Sequence, residues 1–84
     1  MHDITFSKDA DKTLRRMPRN VALTIVEKIK QLANDPSGMS NIKKLTNHPG
    51  YRLRVGDWRV IYTVNDTELL IHVISVKTRG EAYK

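Results

Sequence analysis

Three arginines crowd one short stretch, Tyr51-Arg52-Leu53-Arg54-Val55, then Gly56-Asp57, then Trp58-Arg59-Val60-Ile61-Tyr62. The alternation of polar and apolar residues on both sides of Gly-Asp predicts a β-hairpin with a two-residue turn. That turn pairs Val55 with Trp58, Arg54 with Arg59, Leu53 with Val60, Arg52 with Ile61 and Tyr51 with Tyr62. Successive side chains alternate across a strand, so Tyr51, Leu53, Val55, Trp58, Val60 and Tyr62 share one side, and Arg52, Arg54 and Arg59 share the other, open face. Like charges directly opposite one another cost a few tenths to about 1 kcal/mol, so the cluster does not serve the fold. A phosphate would remove the repulsion and use the planar fork of guanidinium donors, which makes the cluster a candidate oxyanion site. The competing reading is a solvated basic edge that discourages strand pairing.

Near the C-terminus, Lys77-Thr78-Arg79 leaves the last strand and Glu81-Ala82-Tyr83-Lys84 follows. A nucleobase stacking on Tyr83 beside an arginine is one use of these residues, and a frayed tail is the other. His2, His48 and His72 are scattered, with no i,i+4 pair beside a carboxylate, so no metal site is expected. His72 is expected in a central strand near Arg59 or Ile61, depending on the second turn. Trp58 and Tyr62 read as core, and Asp57 as turn chemistry. The glycines at 38, 50, 56 and 80 stand apart, so neither a phosphate-cradling loop nor a nucleophile elbow is present. No helix-turn-helix reading helix can be placed.

The elements that must position these residues follow from periodicity. His2-Asp3-Ile4-Thr5-Phe6 alternates as a half-buried strand does, and Ser7 offers a hydroxyl to cap a helix. Ala10, Leu14 and Met17 recur at helical spacing from Lys8 to Met17, where Pro18 ends one helix and suits the first turn of the next. A second helix, about Arg19 to Asn34, carries an apolar stripe of Ala22, Ile25, Val26, Ile29, Leu32 and Ala33 opposite Glu27, Lys28, Lys30 and Gln31. Asn34-Asp35-Pro36-Ser37-Gly38 stops it, and loop follows to Gly50 with a brief strand near Lys44-Leu45. Asn65-Asp66 turns the chain again, and Glu68 to Lys77 reads as a central strand. The order βααβββ gives an α+β class, with two N-terminal helices packed on one face of a twisted, mainly antiparallel sheet.

With 84 residues, the expectation is one domain over 1–84. Fifteen Lys and Arg against nine Asp and Glu give a net charge of +6, which points to a polyanionic partner such as nucleic acid. The excess is uneven, +2 over residues 1–42 and +4 over residues 43–84, so the second half holds the basic footprint. With no cysteine there is no thiolate metal site and no thiol nucleophile. No apolar run approaches the roughly 20 residues that span a bilayer, and the opening residues lack a signal-peptide core, so a cytoplasmic protein is expected.

The hairpin Gly50-Tyr51-Arg52-Leu53-Arg54-Val55-Gly56-Asp57-Trp58-Arg59-Val60-Ile61-Tyr62 resembles that of the RelE/ParE superfamily of toxins from type II toxin–antitoxin pairs. The opening strand, the helices divided near Pro18, the Lys43-Lys44-Leu45 element and the close Val73-Ile74-Ser75-Val76-Lys77-Thr78-Arg79-Gly80-Glu81-Ala82-Tyr83 match in kind. The resemblance covers nearly the whole chain. It implies one of two activities. RelE-like members cut messenger RNA in the ribosomal A site without a metal or cofactor, by 2′-hydroxyl attack that leaves a 2′,3′-cyclic phosphate. ParE-like members inhibit DNA gyrase and cut nothing.

The family's basic strand pair falls on Arg52 and Arg54, its phosphate-binding arginine on Arg59, its late arginine, proposed as general acid, on Arg79, and its terminal tyrosine on Tyr83. Lys43, Lys44 and Lys77 extend this set as expected RNA contacts. Occupation of all five positions favours the RNase branch. RelE-type enzymes can carry lysine on the strand pair, where a lowered pKa lets an amine take a proton, whereas arginine stays charged. The general base thus stays open among Tyr83, Lys43, Lys44 and His48, or the arginines act chiefly by stabilising charge on the phosphorane. The implied partners are the ribosome, messenger RNA and an antitoxin with an acidic, partly disordered segment. A chain that has lost activity and survives as an antitoxin-binding protein is the third reading.

Overall fold

The computed structural model describes residues 2–78. Its elements run β1 (Asp3–Phe6), α1 (Lys8–Arg16), α2 (Arg19–Asn34), β2 (Ile42–Lys44), β3 (Tyr51–Val55), β4 (Trp58–Asn65) and β5 (Leu70–Thr78). The strands form one sheet in the order β1-β5-β4-β3-β2, with β1 parallel to β5 and every other neighbour antiparallel. This is the expected α+β arrangement. The brief strand expected near Lys44-Leu45 forms slightly earlier and becomes the edge strand β2.

The helices start and stop where their residues dictate. Ser7 caps α1, its hydroxyl accepting the Ala10 N–H at 3.0 Å, and the same hydroxyl donates to the carbonyl of Ile74 in β5 at 2.5 Å. Asp9 and Asp11 lie in the first turn and Arg15 and Arg16 in the last, which suits the helix dipole at both ends. Pro18 is the residue before α2 rather than its first turn; its fixed φ directs the chain into the helix without a side-chain cap. Because the Ser7 hydroxyl serves two partners, Ser7→Ala should lower stability by about 1–2 kcal/mol, seen as a lower urea midpoint at unchanged slope.

The stripe of α2 buries Ile25, Ile29, Leu32 and Ala33 against Leu53, Val60, Tyr62, Ile71, Val73 and Val76 of the sheet, and Ala10 joins them from α1. Trp58, Val55 and Tyr51 pack at the edge of this core. Tyr51 and Tyr62, opposite each other on β3 and β4, stack with centroids 5.6 Å apart. Burial, helped by the neighbouring Tyr51 phenol, pushes the Tyr62 hydroxyl up to about 12 from 10.0. Unfolded, Tyr62 ionises near 10; folded, it keeps its proton until about 12. Its contribution is therefore complete below pH 10 and is lost as pH rises from 10 to 12. Tyr62→Phe should flatten that part of the alkaline stability curve, measured as urea midpoints at pH 9 and pH 11.5.

Two segments depart from the expectation. The second turn is not a tight Asn65-Asp66 turn: Asn65 pairs with Leu70, so residues 66–69 form a four-residue loop and β5 starts at Leu70 rather than Glu68. The Asn65 side-chain oxygen accepts the Glu68 N–H at 3.0 Å, and Leu69 takes a φ of 52°, which together close the longer loop. Further along, the register shifts by one between Ile61 and Tyr62, leaving Ile74 as an extra residue on β5. The longer loop puts His72 opposite Thr63, not beside Arg59 or Ile61, and the extra residue then sets the partners of Ser75 and Lys77.

Candidate anion-binding face

The hairpin has the register read from its turn, with Tyr51 opposite Tyr62, Arg52 opposite Ile61, Leu53 opposite Val60, Arg54 opposite Arg59 and Val55 opposite Trp58. Gly56 takes a φ of 59° at the first turn position and Asp57 has no positive φ, the pattern of a type II′ turn that a residue with a Cβ would strain. Gly50, just before β3, has a different reason to be glycine. A Cβ there would lie 2.9 Å from the Tyr62 carbonyl oxygen and 2.8 Å from the His48 ring.

Since the helices cover the side of Leu53, Val60 and Tyr62, the arginines lie together on the other side, and the register adds lysines to them. Lys77 of β5 stands opposite Arg59, and Lys43 of β2 opposite Arg52. One row therefore reads Arg54, Arg59, Lys77 and the next reads Lys43, Arg52, Ile61, Ser75. Lys44 is not part of it: it pairs with Tyr51, and alternation turns it to the helix side. Arg79 and Tyr83 lie outside the described residues.

Exposure is graded across the cluster. Arg54 is exposed, Arg52 and Lys77 are half-buried, and Arg59 is buried at 6% exposure. This corrects the expectation that all three guanidiniums crowd the open face. The Arg59 side chain turns back over the end of the hairpin, where its Nη1 donates to the carbonyls of Gly56 at 3.2 Å and Trp58 at 3.1 Å. These two acceptors fix the guanidinium plane and offset part of its desolvation. Arg54 is held through its backbone: Asn41 donates its side-chain amide to the Arg54 carbonyl at 2.6 Å, and the Asn41 carbonyl accepts the Arg54 N–H at 3.1 Å. Sequence reasoning missed Asn41, because a lone asparagine before a three-residue strand carries no periodic signal. His48 sits in the loop before β3, its Nδ1 accepting the Gly50 N–H at 2.8 Å.

The shape of this surface limits what it can take. A groove of about 580 Å³ opens on the helix side, lined by His2, Met39, Ile42, Tyr51, Tyr62 and Asp66 among others, away from the cations. The cations lie on a sheet face instead, which suits an extended polyanion better than a small molecule enclosed on most sides. Among the described residues no group of three His, Cys, Asp or Glu is placed to hold a metal ion. Nor is any helix among them long and apolar enough to cross a membrane.

The two-helix layer on a five-stranded sheet is a fold shared with known toxins. A family model described as the ParE toxin of type II toxin-antitoxin system, parDE, matches residues 4–83. The chain therefore belongs to the RelE/ParE superfamily of type II toxins. Among solved structures it is similar to a chain of the archaeal RelE-RelB complex from Pyrococcus horikoshii, with 28% identity, a TM-score of 0.81, and 94% of this chain and 96% of that one covered. It is similar to a chain of the RelB-RelE complex from Methanococcus jannaschii at 29% identity and TM-score 0.73, covering 94% of each. For the intact E. coli RelBE complex the identity is 25% and the TM-score 0.79, with 93% and 96% covered. No curated protein sequence matches the chain.

Proposed function

We propose that this toxin is a ribosome-dependent messenger RNA endonuclease of RelE type. The observation that carries the reading is three like-charge pairs standing directly opposite across neighbouring strands, Arg54 with Arg59, Arg59 with Lys77, and Lys43 with Arg52. Each such pair costs the sheet a few tenths to about 1 kcal/mol, and a phosphodiester offsets that cost. In this reading Arg52, Arg54 and Arg59 hold the scissile phosphate, while Lys43 and Lys77 neutralise its neighbours. Resemblance adds Arg79 and Tyr83, whereas Lys44, turned to the helix side of β2, is left out of the phosphate contacts.

The reaction is an internal transesterification. The 2′-oxygen forms a bond to the adjacent phosphorus and the bond from phosphorus to the 5′-oxygen breaks, leaving a 2′,3′-cyclic phosphate and a 5′-hydroxyl. The proton of the 2′-hydroxyl goes to a base and the leaving oxygen takes one from an acid, the part given to Arg79. Tyr83, the family's terminal tyrosine, is one candidate for the base's part, which requires a phenol acidic enough to ionise. Negative charge builds on the phosphorane oxygens, where guanidiniums fixed before reaction stabilise it without reorganising. A cytoplasmic site of action fits a ribosomal target. The partner that restrains the toxin is an antitoxin, as in the RelE–RelB complexes it is similar to, and an acidic segment suits this face.

The matched family model is that of ParE, which supports a second reading, inhibition of DNA gyrase by binding alone. The two are separated by primer extension on a reporter messenger after brief induction without antitoxin, alongside a gyrase supercoiling assay. Discrete cuts in the messenger with unimpaired supercoiling are expected. Intact messenger with blocked supercoiling would transfer the toxin to the gyrase class, and neither effect would identify an inactive, antitoxin-binding chain.

A further inference from the structure

Beyond the two cationic rows lies a third of different chemistry. On β4 the side chains of Arg59, Ile61 and Thr63 fall on the same side of the sheet, and Thr63 stands opposite His72, which stands opposite Thr5 of β1. Three hydrogen-bonding side chains thus sit abreast on three neighbouring strands, on the face that carries the cations. Same-face positions along a strand are about 6.6 Å apart, so this row is one step beyond that of Lys43, Arg52, Ile61 and Ser75. The Thr5 hydroxyl and His72 Nδ1 lie 2.8 Å apart. With Nδ1 engaged, the ring nitrogen His72 can offer to a further group is Nε2.

The composition of β5 sharpens the point. Leu70, Ile71, Val73, Ile74 and Val76 are apolar, and the polar residues that interrupt them, His72 and Ser75, both stand on the cationic face. A hydrogen bond between partly exposed side chains adds little to stability, so the row, like the arginines, is poorly explained by the fold.

We propose that Thr5, His72 and Thr63 form a subsite for the ribonucleotide on the 3′ side of the scissile phosphate, whose 2′-hydroxyl takes no part in the reaction, the imidazole engaging that hydroxyl through Nε2 and the threonines framing it. The subsite rests on the RNA-cleaving reading above. A strand whose phosphates lie along the two cationic rows carries its next ribose onto this one, and a 2′-hydroxyl both donates and accepts, which suits imidazole and hydroxyl partners. His72 is here a positioning residue, remote from the reacting atoms.

The test is cleavage on ribosomes programmed with a short messenger, at increasing toxin concentration. His72→Ala should raise the half-saturating concentration about tenfold, the effect of one lost hydrogen bond, with the plateau rate unchanged. His72→Gln, which keeps a donor near the Nε2 position, should restore most of it. A 2′-deoxy substitution at the nucleotide on the 3′ side of the scissile phosphate, which leaves the attacking 2′-hydroxyl in place, should cost the unmodified toxin about the same tenfold and His72→Ala nothing further. If Arg59→Ala abolishes cleavage while His72→Ala behaves as the parent on both messengers, the subsite is wrong and the nuclease stands. A fall in plateau rate with no change in half-saturation would also overturn it. Absence of cleavage by the parent would overturn the nuclease and the subsite with it.

Discussion

Arg59→Ala should reduce messenger cleavage by about 10²–10³-fold, the typical loss when one preorganised donor to a developing oxyanion is removed. Arg59 is the cation best placed to have an effect of this size. Its guanidinium is buried, and two carbonyls of the hairpin end fix its plane, so its charge acts in a less screened setting than that of the exposed Arg54. Arg59→Lys keeps the charge but replaces the planar fork with a flexible ammonium, and should recover only part of the activity. The stability change should stay within about 1 kcal/mol, because loss of the packed aliphatic stem is countered by relief of two like-charge pairs, with Arg54 and with Lys77. The measurements are primer extension for cleavage and a thermal melt for folding. Full cleavage by a folded Arg59→Ala protein would remove this arginine from the site.

The arginines were legible in the sequence for a physical reason. A two-residue turn leaves one register, and alternation then assigns each side chain to a face, so all five hairpin pairs follow from Gly56-Asp57 alone. The second hairpin offers no such constraint. Its four-residue loop depends on the Asn65 side chain catching the Glu68 N–H, and the extra residue at Ile74 shifts the register midway. Local sequence therefore left the neighbours of His72 and Lys77 open, and with them the extension of the site across β5. The burial of Arg59 was illegible for another reason: position on a face is a backbone property, whereas exposure depends on where a long side chain folds. The edge strand β2 has one apolar residue in three, too little for periodicity, and it is tied to β3 partly through Asn41.

Leu53→Ala should cost about 2–5 kcal/mol, the range for emptying a buried leucine site. Leu53 is fully buried, faces the helices, and stands between Ile42 on β2 and Val60 on β4. A chain of 84 residues has only about 4–13 kcal/mol of stability in total, so this one truncation removes a large part of it. At roughly 4–8 °C per kcal/mol the thermal midpoint should fall by about 8–40 °C. Leu53 also sits between Arg52 and Arg54 in sequence while pointing the opposite way, so the substitution leaves every cation in place and attacks only the layer beneath them. Toxicity should fall in proportion to the folded fraction, and cleavage per folded molecule should persist when assayed well below the new midpoint. Leu53→Met, which keeps the volume, should cost less than about 1.5 kcal/mol and leave both properties near the parent. The contrast with Arg59→Ala is the discriminating one: there the fold survives and the chemistry is lost, whereas here the chemistry survives in whatever fraction stays folded. If Leu53→Ala abolished cleavage per folded molecule as completely as Arg59→Ala does, the arginines would owe their geometry to the core beneath them rather than to the hairpin register and the carbonyls at its end.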